Sequence, residues 1–109
     1  MERDETSLNL KMAALADPTR RAIITRLQQG EAAVMELAAP FAMSQPAVSK
    51  HLKVLEEAGL IIRSREAQKR PCRLAPNGLS EIAAFLNDHR AMWEQRLDRL
   101  ENYLSSIKE

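Results

Sequence analysis

The sequence has a single cysteine, three glycines among 109 residues, 4% aromatics and a formal net charge of only +1. Each shortage closes off a class of function. A lone Cys72 cannot form an intramolecular disulfide, which agrees with a reducing compartment. No glycine-rich loop is present to cradle a nucleotide phosphate, and no nucleophile elbow or paired carboxylate motif takes its place, so an enzyme is not expected. Phe41, Phe85, Trp93 and Tyr103, the four aromatic residues, lie outside the basic part of the chain. That placement argues against a stacking platform for single-stranded nucleic acid. No apolar run approaches the roughly 18 to 20 residues needed to cross a bilayer, and the polar start MERDETS lacks the basic and apolar parts of a secretory leader. The expectation is one cytoplasmic domain over residues 1–109, with no membrane partner and no cofactor.

What is present is a packable chain with an uneven charge. Apolar residues make up 45% and charged residues 28%, near globular averages. Between Ser44 and Leu74 stand seven cations (Lys50, Lys53, Arg63, Arg65, Lys69, Arg70, Arg73) and three acids (Glu56, Glu57, Glu66), whereas the remainder is net acidic. The near-neutral total therefore hides a basic middle third.

Leu8, Met12 and Leu15 recur at helical spacing, predicting a first helix over about 8–16. Asp17 as cap and Pro18 in the first turn open a second helix, with Ala22, Ile23, Arg26 and Leu27 on its apolar side, and Gly30 closes it. Two further helices follow, separated at Pro40 and Ser44; Val34, Leu37 and Ala38 bury one side of the first of them. In the second, Val48, Leu52 and Leu55 fall at i, i+4 and i+7, leaving Gln45, Ser49, Lys50 and Lys53 on other faces before Gly59 ends it. Two helices joined by a short turn, the second polar and basic on its free face, are the arrangement that places a helix in a major groove. Leu60–Ile62 and the return to Leu74 predict a basic hairpin whose tip, near Ala67–Lys69, has no glycine or asparagine to take positive φ, so a longer loop is expected there.

From residue 79 to 107 the pattern is helical again. Leu79, Leu86, Trp93, Leu100 and Ile107 recur every seven residues, with Leu97 and Leu104 at the four-residue steps, and Asn87–His89 mark a point where a kink could divide the helix. A seam this long exceeds what the small preceding core can cover, so part of it should pack on another chain.

The block ALADPTRRAIITRLQQGEAAVMELAAPFAMSQPAVSKHLKVLEEAGLI, Ala14 to Ile61, resembles the ArsR-type winged helix-turn-helix repressors of bacteria. DPTRR and SQPAVSKHLKVLEEAGL are its most specific parts, and WEQRLDRLENYL resembles a subgroup without the known metal sites. The resemblance implies a mainly α fold with a small β-hairpin wing, acting as a homodimer on an inverted repeat in double-stranded DNA. It assigns Ser44, Gln45, Pro46, Ala47, Ser49 and Lys50 to the DNA-facing helix, and Arg63, Arg65, Lys69 and Arg70 to the wing; the independent reading of exposed faces adds Lys53. The first and last helices would form the dimer interface, through Leu8 and Met12 on one and Leu86, Trp93, Leu97, Leu100 and Leu104 on the other. The releasing effector is not identified.

Two alternatives remain beside this reading: a winged-helix module that binds protein, and a metal- or thiol-responsive repressor with an unfamiliar sensing site. Against the first, the free face offers Gln45, Ser49, Lys50 and Lys53 rather than aromatic or large apolar anchors. Against a metal, VMELAA at 34–39 holds no thiol or imidazole. Asp88 and His89 are neighbours that point about 100° apart on a continuous helix. Cys72 stays a candidate thiol because Arg70 and Arg73 stand near it in sequence, although a packed strand residue is the simpler role. His51 beside Leu52 suits a structural hydrogen bond or a phosphate contact. Titration against a zinc chelator is expected to find no high-affinity regulatory site; stoichiometric submicromolar binding coupled to DNA release would contradict this reading.

Overall fold

In the computed structural model, which describes residues 5–65 and 70–108, Asp17 and Ser44 open helices by the same device. Both have extended backbones, and each side chain accepts the N–H three residues on: Asp17 Oδ2 from Arg20 at 2.9 Å, Ser44 Oγ from Ala47 at 3.3 Å. Pro18 and Pro46 follow in the first turn, where an amide would have no helical acceptor. The described elements are α1 (Glu5–Ala14), α2 (Pro18–Leu27), α3 (Val34–Ala38), α4 (Gln45–Glu57), β1 (Ile61–Arg63), β2 (Cys72–Leu74) and α5 (Ser80–Ile107). They separate into two compact units, one reaching to Leu79 and one beginning at Ser80.

The first unit is a winged helix-turn-helix. Its core joins Ile23, Ile24 and Leu27 of α2, Leu37 and Ala38 of α3, Val48, Leu52 and Leu55 of α4, and Leu60, Ile61 and Cys72 around the hairpin. The expected α4 triad is fully buried, and each large side chain of this kind contributes about 1.5–3 kcal/mol of transfer free energy. On α2 the apolar face is turned slightly from expectation. Ile24 is buried and Ala22 exposed, because bulk rather than periodicity decides which side chains fill the space against α4.

Helix α4 ends as Gly59 predicts. Gly59 takes φ +81°, its N–H donates to the Glu56 carbonyl at 3.0 Å, and the Leu60 N–H reaches back to Leu55 at 3.0 Å. This paired closure needs a left-handed residue, which glycine adopts without a Cβ clash. It also delivers Leu60 and Ile61 into the core at the start of β1. Strands β1 and β2 pair antiparallel, Ile61 with Leu74, Ile62 with Arg73 and Arg63 with Cys72. On the other side of Cys72, Ala32 exchanges two backbone hydrogen bonds with it, at 3.0 and 2.8 Å, and so places Cys72 at the centre of the small sheet. The connection between the strands is long, as expected, and the positive φ lands on Arg70 at +42°.

Helix α1 begins and ends earlier than the expected 8–16. The Arg20 side chain takes the carbonyls of Ala13 and Ala14, at 3.3 and 2.6 Å, and so closes the helix at Ala14. Leu8 and Met12 are half-buried, Leu15 packs on the core and Leu10 is the exposed apolar residue.

The second unit is α5, one helix of 28 residues, about 42 Å long at 1.5 Å per residue. It runs through Asn87–His89 without division. His89 Nδ1 lies 2.9 Å from the Phe85 carbonyl and its ring centroid 4.3 Å from that of Phe85, so the polar insertion is satisfied by its own helix. No described helix is long and apolar enough to cross a membrane.

Cys72 is 0% exposed, and burial pushes its thiol above the ordinary value of 9.0 against the opposing pull of the Arg63 guanidinium. That environment makes an inert thiol. A disulfide reagent should label the native protein about a hundredfold or more slowly than a free thiol, and at the free rate after unfolding. Fast native labelling, followed by absorbance, would restore Cys72 as a redox candidate.

Candidate nucleic-acid interface

Because Val48, Leu52 and Leu55 are held in the core, the opposite side of α4 is presented outward. Ser44, Gln45, Pro46, Lys50 and Lys53 are exposed, and Ala47 and Ser49 half-buried. Lys53 Nζ lies 4.0 Å from Glu57 one turn on, an exposed pair of the kind worth a few tenths of a kcal/mol, roughly 0.3–0.5, and easily exchanged. The N-terminal half of α4 therefore carries the amide, hydroxyl and amino groups suited to base edges and phosphates.

The wing approaches this same half. Gln45 and Ser49 of α4, Arg63 and Arg70 of the hairpin, and Ala33–Glu36 at the start of α3 line one open cleft of about 540 Å³. Lys50 and Lys53 lie outside it. Glu36 is tied down on the α3 side, accepting the Ala33 N–H at 3.2 Å and facing Arg26 at 3.6 Å. Met35 stands in the cleft wall largely exposed, an apolar contact surface that helical periodicity had not singled out.

The wing cations are not equivalent. Arg63 is half-buried beside Cys72. Arg65 reaches back to the end of α4, with Nη2 3.4 Å from Glu56 Oε1 and 3.5 Å from Oε2. Arg70 is exposed, in a left-handed conformation that costs a residue with a Cβ roughly 1–2 kcal/mol. Lys69 lies outside the described residues.

Behind the interface sits a polar cluster the sequence showed only in parts. Asp17, expected as a cap, and His51, expected as a hydrogen-bonding group, meet through Arg20: Nη1 of Arg20 is 3.3 Å from His51 Nδ1, which is 3.9 Å from Asp17 Oδ2. The hydrogen bond donated by the Arg20 backbone holds the Asp17 carboxyl below its ordinary value of 3.8, helped by the Arg20 charge against partial desolvation. Arg20 and His51 are 31 positions apart, and no local pattern pairs them. Among the described residues no group of three or more His, Cys, Asp or Glu side chains is placed to hold a metal.

A helix-turn-helix with a polar second helix and an adjacent basic hairpin defines a winged-helix DNA-binding protein. Residues 17–63 match the bacterial regulatory protein, arsR family. The chain is 46% identical over 84 residues to the HTH-type transcriptional regulator Rv2034 of Mycobacterium tuberculosis, covering 77% of this chain and 76% of that one. It is 40% identical over 86 residues to the biofilm growth-associated repressor of Agrobacterium fabrum, covering 79% and 74%. Among solved structures, an ArsR family transcriptional regulator superposes with a TM-score of 0.78 at 38% identity, over 86% of this chain and 97% of that one. The homodimeric winged helix-turn-helix DNA-binding domain Mb0332 of Mycobacterium bovis gives 0.65 at 25% identity, over 84% and 89%. This chain belongs to the ArsR family: it is a DNA-binding transcriptional regulator and not an enzyme.

Asp17 ties stability to pH in one direction. Its folded-state carboxyl titrates below the unfolded value, so its contribution is complete above about pH 4 and is lost as pH falls through the depressed value. Asp17→Asn keeps a cap acceptor but cannot titrate. Thermal unfolding should show the wild type ahead of this variant at neutral pH and the gap closing in acid; a gap that widened in acid would reverse the sign.

Proposed function

We propose that this chain represses transcription by occupying an inverted-repeat operator as a homodimer, with α4 in the major groove of each half-site and the wing on the flanking backbone. The whole chain, residues 1–109, acts as one DNA-binding domain whose terminal helices form the dimer interface, and its DNA partner implies a cytoplasmic protein. The observation that carries the reading is the division of α4, whose Val48, Leu52 and Leu55 are locked inside while Gln45 and Lys50 stand free. Gln45 has the donor and acceptor to pair with adenine, Ser44 and Ser49 can bond base or phosphate, and Lys50 either. Pro46 and Ala47 keep the helix entrance small enough for close approach. Lys53, Arg63, Arg65, Lys69 and Arg70 supply charge, which suits phosphate or a narrow minor groove.

The dimer rests on a second observation. Leu86, Trp93, Leu97, Leu100 and Leu104 lie exposed along one seam of α5, Trp93 at 62% and Leu97 at 55%, with Arg96 stacked 5.9 Å from the Trp93 ring centroid. A stripe of this length and character on a single chain is a surface built to be covered. That the Mycobacterium bovis domain is homodimeric supports a dimer here; in our reading Leu8 and Met12 of α1 join its interface.

Gln45→Ala should lose about 1–3 kcal/mol at one base pair and relax preference there, with little change on random DNA. Arg65→Ala or Arg70→Ala should weaken operator and random duplexes alike. Each should flatten log affinity against log salt by roughly one unit per lost phosphate contact in each half-site. Operators selected from a random duplex library and titrated at several salt concentrations provide the measurement. A wing variant that altered base preference at constant salt slope would overturn this division of labour.

Leu97→Glu combined with Leu100→Glu should dissociate the dimer, because each buries an unpaired carboxylate at a cost of several kcal/mol, on the order of 3–5. Sedimentation that still gave an intact dimer would remove α5 from the interface.

A further inference from the structure

Helix α1 meets α4 at two separated places, the first a hydrogen-bonded bridge and the second a close packing contact. At the first, the Arg20 guanidinium bridges the helices. Nε donates to the Ala14 carbonyl at 2.6 Å and Nη2 to Ala13 at 3.3 Å, at the C-terminus of α1, while Nη1 faces His51 Nδ1 of α4 at 3.3 Å. Arginine only donates, so Nδ1 of His51 accepts and the ring proton sits on Nε2. His51 is 22% exposed and faces inward to this junction, beside Asp17 at 3.9 Å.

At the second place Lys11 of α1, 7% exposed, lies against the closing turn of α4, its Cε 3.7 Å from where a side chain on Gly59 would begin. His51 and Gly59 are eight positions apart, about 12 Å along a helix. Two contacts at that separation fix an angle as well as a distance. The apolar core between α1 and α4 holds the helices together without choosing their rotation, whereas a planar guanidinium with three engaged donors has one productive orientation.

We propose that Arg20 and His51 are positioning residues that fix the recognition helix α4 relative to α1, the part of the proposed dimer interface that belongs to the same unit, and so set the half-site spacing this protein accepts on DNA. The inference rests on the operator-binding dimer proposed above. Moving one half-site by a base pair displaces it by about 3.4 Å and turns it by about 35°, so a rigid α1–α4 junction discriminates against the shift and a loosened one follows it.

The test uses the full chain and three sets of duplexes: the selected operator, the same half-sites with one base pair added or removed between them, and an isolated half-site. His51→Leu removes the acceptor at similar volume; His51→Gln restores an acceptor through its amide oxygen. For wild type, the altered spacings should weaken binding by about tenfold or more. In His51→Leu that preference should fall to within about threefold, while the isolated half-site is bound within about twofold of wild type and sedimentation still shows a dimer. His51→Gln should recover most of the spacing preference. Arg20→Lys keeps the charge without the three-pronged donor set and carries the same expectation as His51→Leu, so an unstable His51→Leu leaves the test in place.

A folded, dimeric variant that keeps the wild-type spacing preference overturns the proposal. So does an equal loss on the isolated half-site and the full operator, which would make His51 a direct DNA contact. A wild-type chain that selects no duplex at all would instead overturn the operator-binding reading.

Discussion

The burial of Val48, Leu52 and Leu55 is the constraint on which the rest of this molecule depends. Those three side chains hold α4 at one rotation about its axis, and a helix with one face fixed has no freedom in what it displays on the other. Gln45, Lys50 and Lys53 are therefore outward because the core is inward, and Ser49 sits at the margin where helix meets wing. The cost of moving any of them is the cost of rebuilding the core. A sequence reader in a major groove needs this rigidity, since hydrogen bonds to base edges discriminate only when the donor is held in place.

Around that helix, polar contacts do what apolar packing cannot. The Schellman closure at Gly59 turns the chain directly into β1, and the Ala32 bridge anchors β2, so the hairpin root is continuous with the core while its far end carries charge. Arg65 spans the two parts by reaching Glu56. An exposed ion pair of this kind contributes little stability, so the phosphate contact proposed for Arg65 would displace it at little cost. The strained Arg70 marks the other side of the wing, held near Gln45 and Ser49 across the cleft.

The unpaired seam of α5 gives the chain its other commitment. The small core is already closed by α1 to α4 and the hairpin, and the leucines from 86 to 104 find no cover within their own helix. In the proposed homodimer a second surface shields this seam, which would link folding of the C-terminal half to assembly. Such an assembly would double the DNA footprint.

Local chemistry determined much of this from the sequence. Caps at Asp17 and Ser44, stops at Gly30 and Gly59, the i, i+4, i+7 triad of α4 and the heptads of α5 act within a few residues, so spacing alone shows them. The DPTRR and SQPAVSKHLKVLEEAGL blocks carried the family for the same reason, being continuous in the chain. Tertiary structure decided what joins distant positions. The Arg20 bridge ends α1 at Ala14 rather than Ala16 and engages a histidine 31 positions away. Glu56 captures an arginine the sequence left free for DNA, and Cys72 becomes the buried centre of the sheet through Ala32. Even the rotation of α2, with Ile24 in and Ala22 out, followed from the volume available against α4. Periodicity fixes which face of an element is apolar, but which side chains meet across a core depends on packing between segments that are remote in sequence.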